Sequence, residues 1–262
     1  MADILRQIME YKRGEVAAAK LRVSASELER QLASAPAVRD FAESLRRHHP
    51  MGLIAEVKRA SPSAGLIRPD FCATEIATTY EASGAACISV LTDEKYFQGH
   101  LDYLRQIRAV VQIPVMRKEF ILDPYQILEA RVAGADCVLL IAECLDDAQL
   151  RDLYQLAQGL GMQALIELHD AENLERVLQL DPVMVGVNNR DLKVMKTNLN
   201  HCIELRSRVP NHVLFVGESG IHSRADVEQL IAGGVHAMLV GETLMKSPDI
   251  GSKVRTLLGT AN

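Results

Sequence analysis

Charged side chains stand at the ends of several short apolar runs of the sequence. Glu56 and Lys58 close one run, and Lys118 and Glu167 close two others. Carboxylate and ammonium groups can accept and donate protons during a reaction when their surroundings bring their pKa values into a working range. Residues two apart on a strand point to the same face, so Glu56 and Lys58 should lie side by side. These residues indicate a site for acid–base chemistry.

The elements that would position these residues alternate regularly. Short apolar runs typical of buried strands are separated by segments with helical periodicity. A helix end, a glycine and a strand recur together in YEASGAACISVL, ARVAGADCVLLI and LIAGGVHAMLVG, and each glycine is expected to end a helix in the left-handed conformation. The predicted strands cover residues 53–58, 86–91, 115–118, 137–141, 164–167, 184–188, 213–217 and 237–241, and two of the predicted helices cover 123–133 and 223–232.

Eight strand–helix units favour a closed barrel over an open sheet. We therefore predict an α/β fold, a single (β/α)8 TIM barrel, whose active site lies at the carboxyl ends of the strands. Residues 1–50 do not fit the alternation, and their periodicity predicts helices over 4–20, 24–32 and 37–48. A capping box of Ser24 and Glu27 is expected to open the second of these helices.

The whole chain, residues 1–262, is predicted to be one domain, with 1–50 as an N-terminal helical extension and 51–262 as the barrel. The extension is expected to pack across one end of the barrel. An arm for oligomerisation is the alternative, and the sequence does not decide between them.

Composition limits the classes of partner. The net charge is −5 with both signs interspersed, so neither nucleic acid nor an anionic membrane is expected as a partner. No apolar stretch is long enough to span a bilayer, which predicts a cytoplasmic protein. The five cysteines are widely spaced, as expected for free thiols in a reducing compartment. The histidines do not show the spacing of metal ligands, so no metal is expected.

Small residues follow the last two predicted strands. In many barrels the backbone N–H groups of these loops bind a phosphate group, together with a short helix. Either loop alone would be weak evidence, but the two together predict a site for a phosphorylated small molecule. The positions are held by Ser219, Gly220, Gly241 and Glu242, with Ser61 and Lys58 extending toward them from the first loop.

Eight short motifs follow one another from about residue 52 to residue 246. They are IAEVKRASPSAG, SVLTDEKYFQG, RKEF, ADCVLLI, LIELHD, GVNNRDL, ESGI and LVGETLM. In this order the sequence resembles the indole-3-glycerol-phosphate synthases. The resemblance implies a carboxy-lyase of tryptophan biosynthesis that converts 1-(2-carboxyphenylamino)-1-deoxyribulose 5-phosphate into indole-3-glycerol phosphate. Ring closure, decarboxylation and dehydration would need no metal or organic cofactor.

The resemblance also implies a role for each charged strand end. Lys118 matches the general acid that protonates the substrate ketone, and burial beside positive neighbours is expected to lower its pKa. Glu167 matches the general base of the dehydration. Lys58 should neutralise the substrate carboxylate and can protonate the departing hydroxyl, while Glu56 orients Lys58 and Lys118. Asn188 should hydrogen-bond a substrate hydroxyl.

The remaining site residues are expected to bind substrate. Arg190 should orient Asn188 or meet a carboxylate with its planar guanidinium. The predicted substrate-binding set is Arg190, Ser61, Glu218, Ser219, Gly220, Gly241 and Glu242.

Three positions depart from the family pattern. Serine is common at the positions of His100 and Gly217, and aspartate at the position of Glu119. These changes leave the acid–base set intact and put in doubt only the geometry of the second loop and of the phosphate site.

Two rival interpretations are weaker. Another phosphate-binding barrel, such as phosphoribosylanthranilate isomerase or ribulose-phosphate 3-epimerase, should carry a catalytic cysteine near the end of the first strand, or metal-binding histidines and aspartates. A catalytically silent scaffold should have lost its charged strand ends. A monomer or weak homodimer is expected, and association with other tryptophan-pathway enzymes is left open.

Overall fold

The computed structural model describes residues 3–191 and 196–260 and contains a closed barrel of eight parallel strands. The strands are β1 (Gly52–Val57), β2 (Cys87–Leu91), β3 (Val115–Lys118), β4 (Cys137–Ile141), β5 (Gln163–Leu168), β6 (Met184–Asn188), β7 (Leu214–Glu218) and β8 (Ala237–Val240). Neighbours in sequence pair around the barrel, and β8 closes it against β1. The (β/α)8 prediction is confirmed, with every predicted strand boundary within one residue of the observed one.

Helices follow every strand, and three precede the barrel. The N-terminal helices are α1 (Asp3–Arg22), α2 (Ala25–Gln31) and α3 (Phe41–Arg47). The others are α4 (Ala73–Ala82), α5 (Glu94–Phe97), α6 (Leu101–Val110), α7 (Pro124–Val132), α8 (Asp147–Gly159), α9 (Leu174–Leu178), α10 (Asn200–Arg206), α11 (Arg224–Ala232), α12 (Glu242–Met245) and α13 (Ile250–Leu258). Short two-stranded ribbons lie in the loops after β1 and β6, pairing Ala60–Ser61 with Gly65–Leu66 and Arg190–Asp191 with Lys196–Thr197.

Two apolar clusters hold the barrel together. One lies between the outer face of the strands and the surrounding helices, and the other fills the barrel itself. Burial on both faces explains why the strands are almost entirely apolar until their last residues. The glycines expected to end helices do so in the left-handed region, with φ values of 100° at Gly84, 91° at Gly134 and 75° at Gly234.

The N-terminal extension covers both ends of the barrel, so the expectation of one end was wrong. Helix α3 lies at the amino end, where the Ala42 N–H donates to Gln163 Oε1 over 2.8 Å and Ser44 Oγ donates to the carbonyl of Ala86 over 2.7 Å. Helix α1 lies at the carboxyl end, where Lys12 reaches the loops that follow β2 and β3. Helices α1 and α3 can lie at opposite ends because α2, between them in sequence, runs along the outside of the barrel against α7.

The boundaries of the extension follow local hydrogen bonds. Helix α3 starts later than predicted because the Asp40 carboxylate accepts from the Glu43 N–H over 2.8 Å and caps it there. Ser24 caps α2 by accepting from the Glu27 N–H, but the Glu27 carboxylate bonds Arg30 and Gln31 instead of returning to Ser24. The predicted capping box is therefore only half formed. Within the described residues, no helix is long and apolar enough to cross a bilayer.

Candidate active site

The predicted acid–base residues converge at the carboxyl end of the barrel. In the strand register Glu167 on β5 lies beside Gly186 on β6, and Asn188 lies beside Glu218 on β7. The predicted acid–base residues line one pocket whose floor is the apolar interior of the barrel. The site residues that border this pocket are Glu56, Lys58, Ser61, Lys118, Glu167, Asn188, Arg190, Ser219, Gly220, Gly241 and Glu242.

Glu56 connects the two lysines. Its Oε1 lies 2.6 Å from Lys58 Nζ, and its Oε2 lies 2.8 Å from Lys118 Nζ. Burial opposes ionisation of this carboxyl group, but the ammonium groups of Lys118 and Lys58 outweigh burial and lower its pKa to about 2. A carboxylate held ionised between two ammonium groups fixes the positions of both.

Carboxylates surround Lys118, so the expectation of positive neighbours and a lowered pKa was wrong. Burial alone would lower the pKa, but the charges of Glu56, Glu218 and Glu167 together raise it above its usual value. Arg117 does not counteract them, because alternation along β3 turns it to the outside, where it lies 2.7 Å from Glu129. Lys118 is consequently a protonated group throughout the neutral range and can act as an acid.

Asn188 and Glu167 form a second pair. Asn188 Nδ2 donates to Glu167 Oε1 over 2.9 Å, and Asn188 Oδ1 accepts from the Arg190 N–H over 3.0 Å. Arg190 therefore orients Asn188 through its backbone. Its guanidinium instead reaches Ser63 Oγ at 3.2 Å and the Glu242 carboxylate at 3.4 Å, which connects the first loop to the eighth.

Glu218 belongs to the acid–base cluster rather than to the phosphate loops. Its side chain is fully buried, and its Oε2 lies 3.4 Å from Lys118 Nζ. Burial and the neighbouring Glu167 carboxylate hold the pKa of Glu218 well above its usual range, although Lys118 opposes the shift. Glu218 Oε1 meets no hydrogen-bond donor among the described residues.

Two glycines make room for the buried carboxylates. A Cβ on Gly186 would lie 2.3 Å from Glu218 Oε1, and a Cβ on Gly241 would lie 2.1 Å from Glu56 Oε1. Both contacts are far shorter than van der Waals distance, so any side chain would displace the carboxylate. Gly241 was predicted from the sequence to bind phosphate only, and no role was predicted for Gly186.

The loops after β7 and β8 expose backbone groups to the pocket. Ser219 and Gly220 have φ values of 66° and 78°, and Gly220 could not carry a side chain because its Cβ would lie 2.4 Å from Thr197 Cγ2. Gly241 precedes the short helix α12. Ser61 Oγ accepts from the Ala64 N–H over 3.2 Å, so it shapes the first loop as well as bordering the pocket.

An apolar wall on one side of the pocket was not predicted from the sequence. Helix α1 supplies Leu5 and Ile8, and the loops after β2 and β3 supply Phe97 and Phe120. The signal was present, because Leu5, Ile8 and Lys12 follow one another at helical spacing and define a single face of α1. The contacts of α1 with the loops after β2 and β3 could not be predicted from that spacing, because these loops are far from α1 in the sequence.

Two of the three departures from the family pattern, Gly217 and His100, lie outside the pocket, whereas Glu119 borders it. Gly217 faces Cys202 and Leu230, whose side chains pack against the outside of the barrel. His100 caps α6 by accepting from the Asp102 N–H over 3.1 Å. Glu119 is buried, 2.9 Å from Lys12.

Among residues 3–191 and 196–260, no group of three or more His, Cys, Asp or Glu side chains is arranged to hold a metal ion. The fold and the site together define a (β/α)8-barrel enzyme with an acid–base pocket at the carboxyl ends of its strands.

Comparison with known proteins narrows this class. The family model for indole-3-glycerol phosphate synthase matches residues 5–257, and the chain belongs to this family. It is 54% identical to the indole-3-glycerol phosphate synthase of Rhodopirellula baltica over 98% of each chain. It is 47% identical to that of an Acidovorax species over 98% of this chain and 99% of the relative. The chain is thus a carboxy-lyase of tryptophan biosynthesis, as the resemblance implied.

More distant solved structures share the fold. A 3-hexulose-6-phosphate synthase superposes with a TM-score of 0.65 at 18% identity, covering 80% of this chain and all of that one. A thiamine phosphate pyrophosphorylase from Pyrococcus furiosus superposes with a TM-score of 0.61 at 12% identity, covering 80% of this chain and 95% of that one. At such identities the likeness concerns the barrel alone.

Proposed function

We propose that the chain closes the pyrrole ring of indole-3-glycerol phosphate with Lys118 as general acid and Glu167 as general base. The observation that carries this division is the arrangement of the two side chains. They enter one pocket from β3 and β5, and each is held by a partner of its own, Glu56 for Lys118 and Asn188 for Glu167. An acid and a base fixed separately can serve successive steps.

The pocket offers a different environment to each part of the substrate. The aromatic ring of 1-(2-carboxyphenylamino)-1-deoxyribulose 5-phosphate fits the apolar wall of Ile8, Phe97 and Phe120. Its phosphate fits the loops of Ser219–Gly220 and Gly241–Glu242, where backbone N–H groups can surround an anion. The sugar ketone then lies between them, next to Lys118.

Ring closure forms a carbon–carbon bond between the aromatic carbon that bears the carboxylate and the ketone carbon. Lys118 donates its proton to the ketone oxygen, which becomes a hydroxyl group. Carbon dioxide leaves as the electrons of the broken bond restore the aromatic ring. Lys58, held by Glu56 at the mouth of the pocket, neutralises the substrate carboxylate before this step.

Dehydration completes the indole. Glu167 removes a proton from the carbon next to the nitrogen, the hydroxyl leaves with a proton from Lys58, and the double bond forms. Asn188 holds Glu167 and can bind a substrate hydroxyl. Glu56 and Glu218 position the lysines, and Arg190 fixes Asn188 and joins the first loop to Glu242.

The proposal includes no metal or organic cofactor, because these side chains account for every proton transfer. It places the chain in the cytoplasm as a monomer or weak homodimer, in keeping with the free thiols of Cys87, Cys137 and Cys202. Association with other enzymes of the pathway is compatible with it.

Indole fluorescence tests the reaction directly. The chain contains no tryptophan, so an indole signal can come only from product. We expect full activity with the carboxyphenylamino substrate in the presence of a chelator. Absence of indole from the folded protein would contradict the reaction, and activity restored by a divalent ion would contradict the cofactor-free mechanism.

A further inference from the structure

A buried ammonium group lies behind the apolar wall of the pocket. Lys12 of α1 is 1% exposed, and its Nζ lies 2.9 Å from Asp93 Oδ2 and 2.9 Å from Glu119 Oε1. Glu15 of the same helix, partly exposed, lies 3.1 Å away. No role was predicted for Lys12 from the sequence, and the proposed mechanism does not use it. A charge so deeply buried must be compensated by partners, and here the partners come from two different loops.

Each partner of Lys12 also fixes one part of the wall. The Asp93 carboxylate accepts from the Tyr96 N–H over 2.7 Å and caps α5, the helix that ends in Phe97. The Glu119 carboxylate accepts from the Phe120 N–H over 2.8 Å. Lys12 itself lies one helical turn after Ile8. The ammonium group is thus the common point of the three segments that carry Ile8, Phe97 and Phe120.

We propose that Lys12 is a positioning residue that holds α1 and the loops after β2 and β3 together, and so sets the affinity of the pocket for the aromatic ring of the substrate. The proposal rests on the placement of that ring against the apolar wall under Proposed function. It makes α1 part of the substrate-binding apparatus and not only a cover for the barrel.

The charges around Lys12 predict a specific response to its removal. Asp93 and Glu119 would face each other without a cation, with Glu15 nearby. Arg117 is 4.0 Å from Glu119 but is engaged more closely by Glu129 on α7, at 2.7 Å. Burial opposes ionisation of Glu119, and at present Lys12 and Arg117 outweigh burial and lower its pKa. Without Lys12, burial and the neighbouring carboxylates would raise that pKa, so Glu119 would gain a proton as the pH falls.

Steady-state kinetics of Lys12→Met therefore give two signals. The KM for substrate should rise roughly tenfold, and kcat should change little. A roughly tenfold change corresponds to the loss of apolar contact by about two methylene groups of the substrate ring. The ratio of variant KM to native KM should shrink between about pH 8 and about pH 6, because protonation of Glu119 removes one of the two uncompensated charges. Taking the ratio at each pH cancels the titration of the substrate itself.

The matched control is Lys20→Met. Lys20 lies on the same helix and forms an ion pair with Asp123 at 2.7 Å, but it is 44% exposed and remote from the pocket. Loss of a surface ion pair should leave KM and its pH dependence as in the native protein. If Lys20→Met reproduces the effect of Lys12→Met, general loosening of α1 explains it and the proposal fails.

The double variant Lys12→Met with Glu119→Gln permanently removes the charge of Glu119 and leaves that of Asp93. It should recover part of the affinity and lose the part of the pH dependence that Glu119 causes, and it serves as the test if Lys12→Met does not fold. An unchanged KM in folded Lys12→Met would overturn the proposal, as would a double variant whose KM ratio varies with pH as steeply as that of Lys12→Met. Turnover by the native protein, measured first, separates these outcomes from a failure of the proposed function.

Discussion

Replacing Gly186 with alanine tests how far the reaction depends on the position of Glu218. The backbone of β6 is ordinary strand at this residue, so alanine itself is tolerated. Its Cβ, however, would lie 2.3 Å from Glu218 Oε1 and 3.3 Å from Leu165 Cδ1. Non-bonded heavy atoms need about 3.5 Å, so the carboxylate must move by about 1 Å.

A displaced Glu218 carboxylate would affect Lys118, the proposed general acid, because the two side chains are neighbours. Glu218 Oε2 lies 3.4 Å from Lys118 Nζ, and Glu218 also faces Glu167. A misplacement of about 1 Å in such a cluster costs about 10²-fold in rate. We therefore expect kcat of Gly186→Ala to fall by about that factor. The KM should change little, because the ring and phosphate sites lie elsewhere in the pocket.

The assay is indole fluorescence under steady-state conditions, with Gly159→Ala as the control. Gly159 ends α8, and a Cβ there would meet nothing within 4 Å. The control should be indistinguishable from the native protein in kcat. A Gly186→Ala protein with native kcat would show that the position of Glu218 does not matter to the reaction.

Two further predictions concern Glu218 and the phosphate loops. Because the pKa of Glu218 is raised, the native fold loses stability as the pH rises from the ordinary carboxyl range toward that pKa. The free energy of unfolding of Glu218→Gln should therefore exceed that of the native protein by a margin that grows by up to about 1.4 kcal/mol per pH unit. Urea unfolding at a series of pH values measures it, and a constant difference would exclude the raised pKa. Ser219→Asp should raise both the KM and the inhibition constant of inorganic phosphate about tenfold through like-charge repulsion; unchanged values would mean that phosphate binds elsewhere.

Much of the framework could be predicted because its signals are local. The apolar runs gave the strands to within one residue, and the common direction of parallel strands brought Lys118 and Glu167 to the same end of the barrel. The alternation of Glu56 and Lys58 likewise predicted neighbours on one face. These conclusions needed only the periodicity of a strand and the closure of the barrel.

Features that depend on several strands at once could not be predicted in the same way. The pKa of Lys118 is raised by carboxylates on β1, β5 and β7. The distances from these carboxylates to Lys118 cannot be predicted from the spacing of residues in the sequence. The role of Gly186 depends on a side chain from the neighbouring strand. Lys12 stood on a recognisable face of α1, but its partners, Asp93 and Glu119, lie in loops far along the chain. Secondary structure could therefore be predicted from the sequence, whereas electrostatic and steric contacts between distant residues could not.

A single-turnover experiment tests the division of labour between Lys118 and Glu167 most directly. Carbon dioxide and indole are followed together after mixing substrate with excess Lys118→Met or Glu167→Gln. We expect Lys118→Met to be slow in both signals, by about 10²-fold or more, because ring closure lacks its acid. In Glu167→Gln carbon dioxide should appear before indole, because only dehydration lacks its base. Carbon dioxide and indole appearing in step in both variants would contradict the account and point to Lys58 as the principal acid.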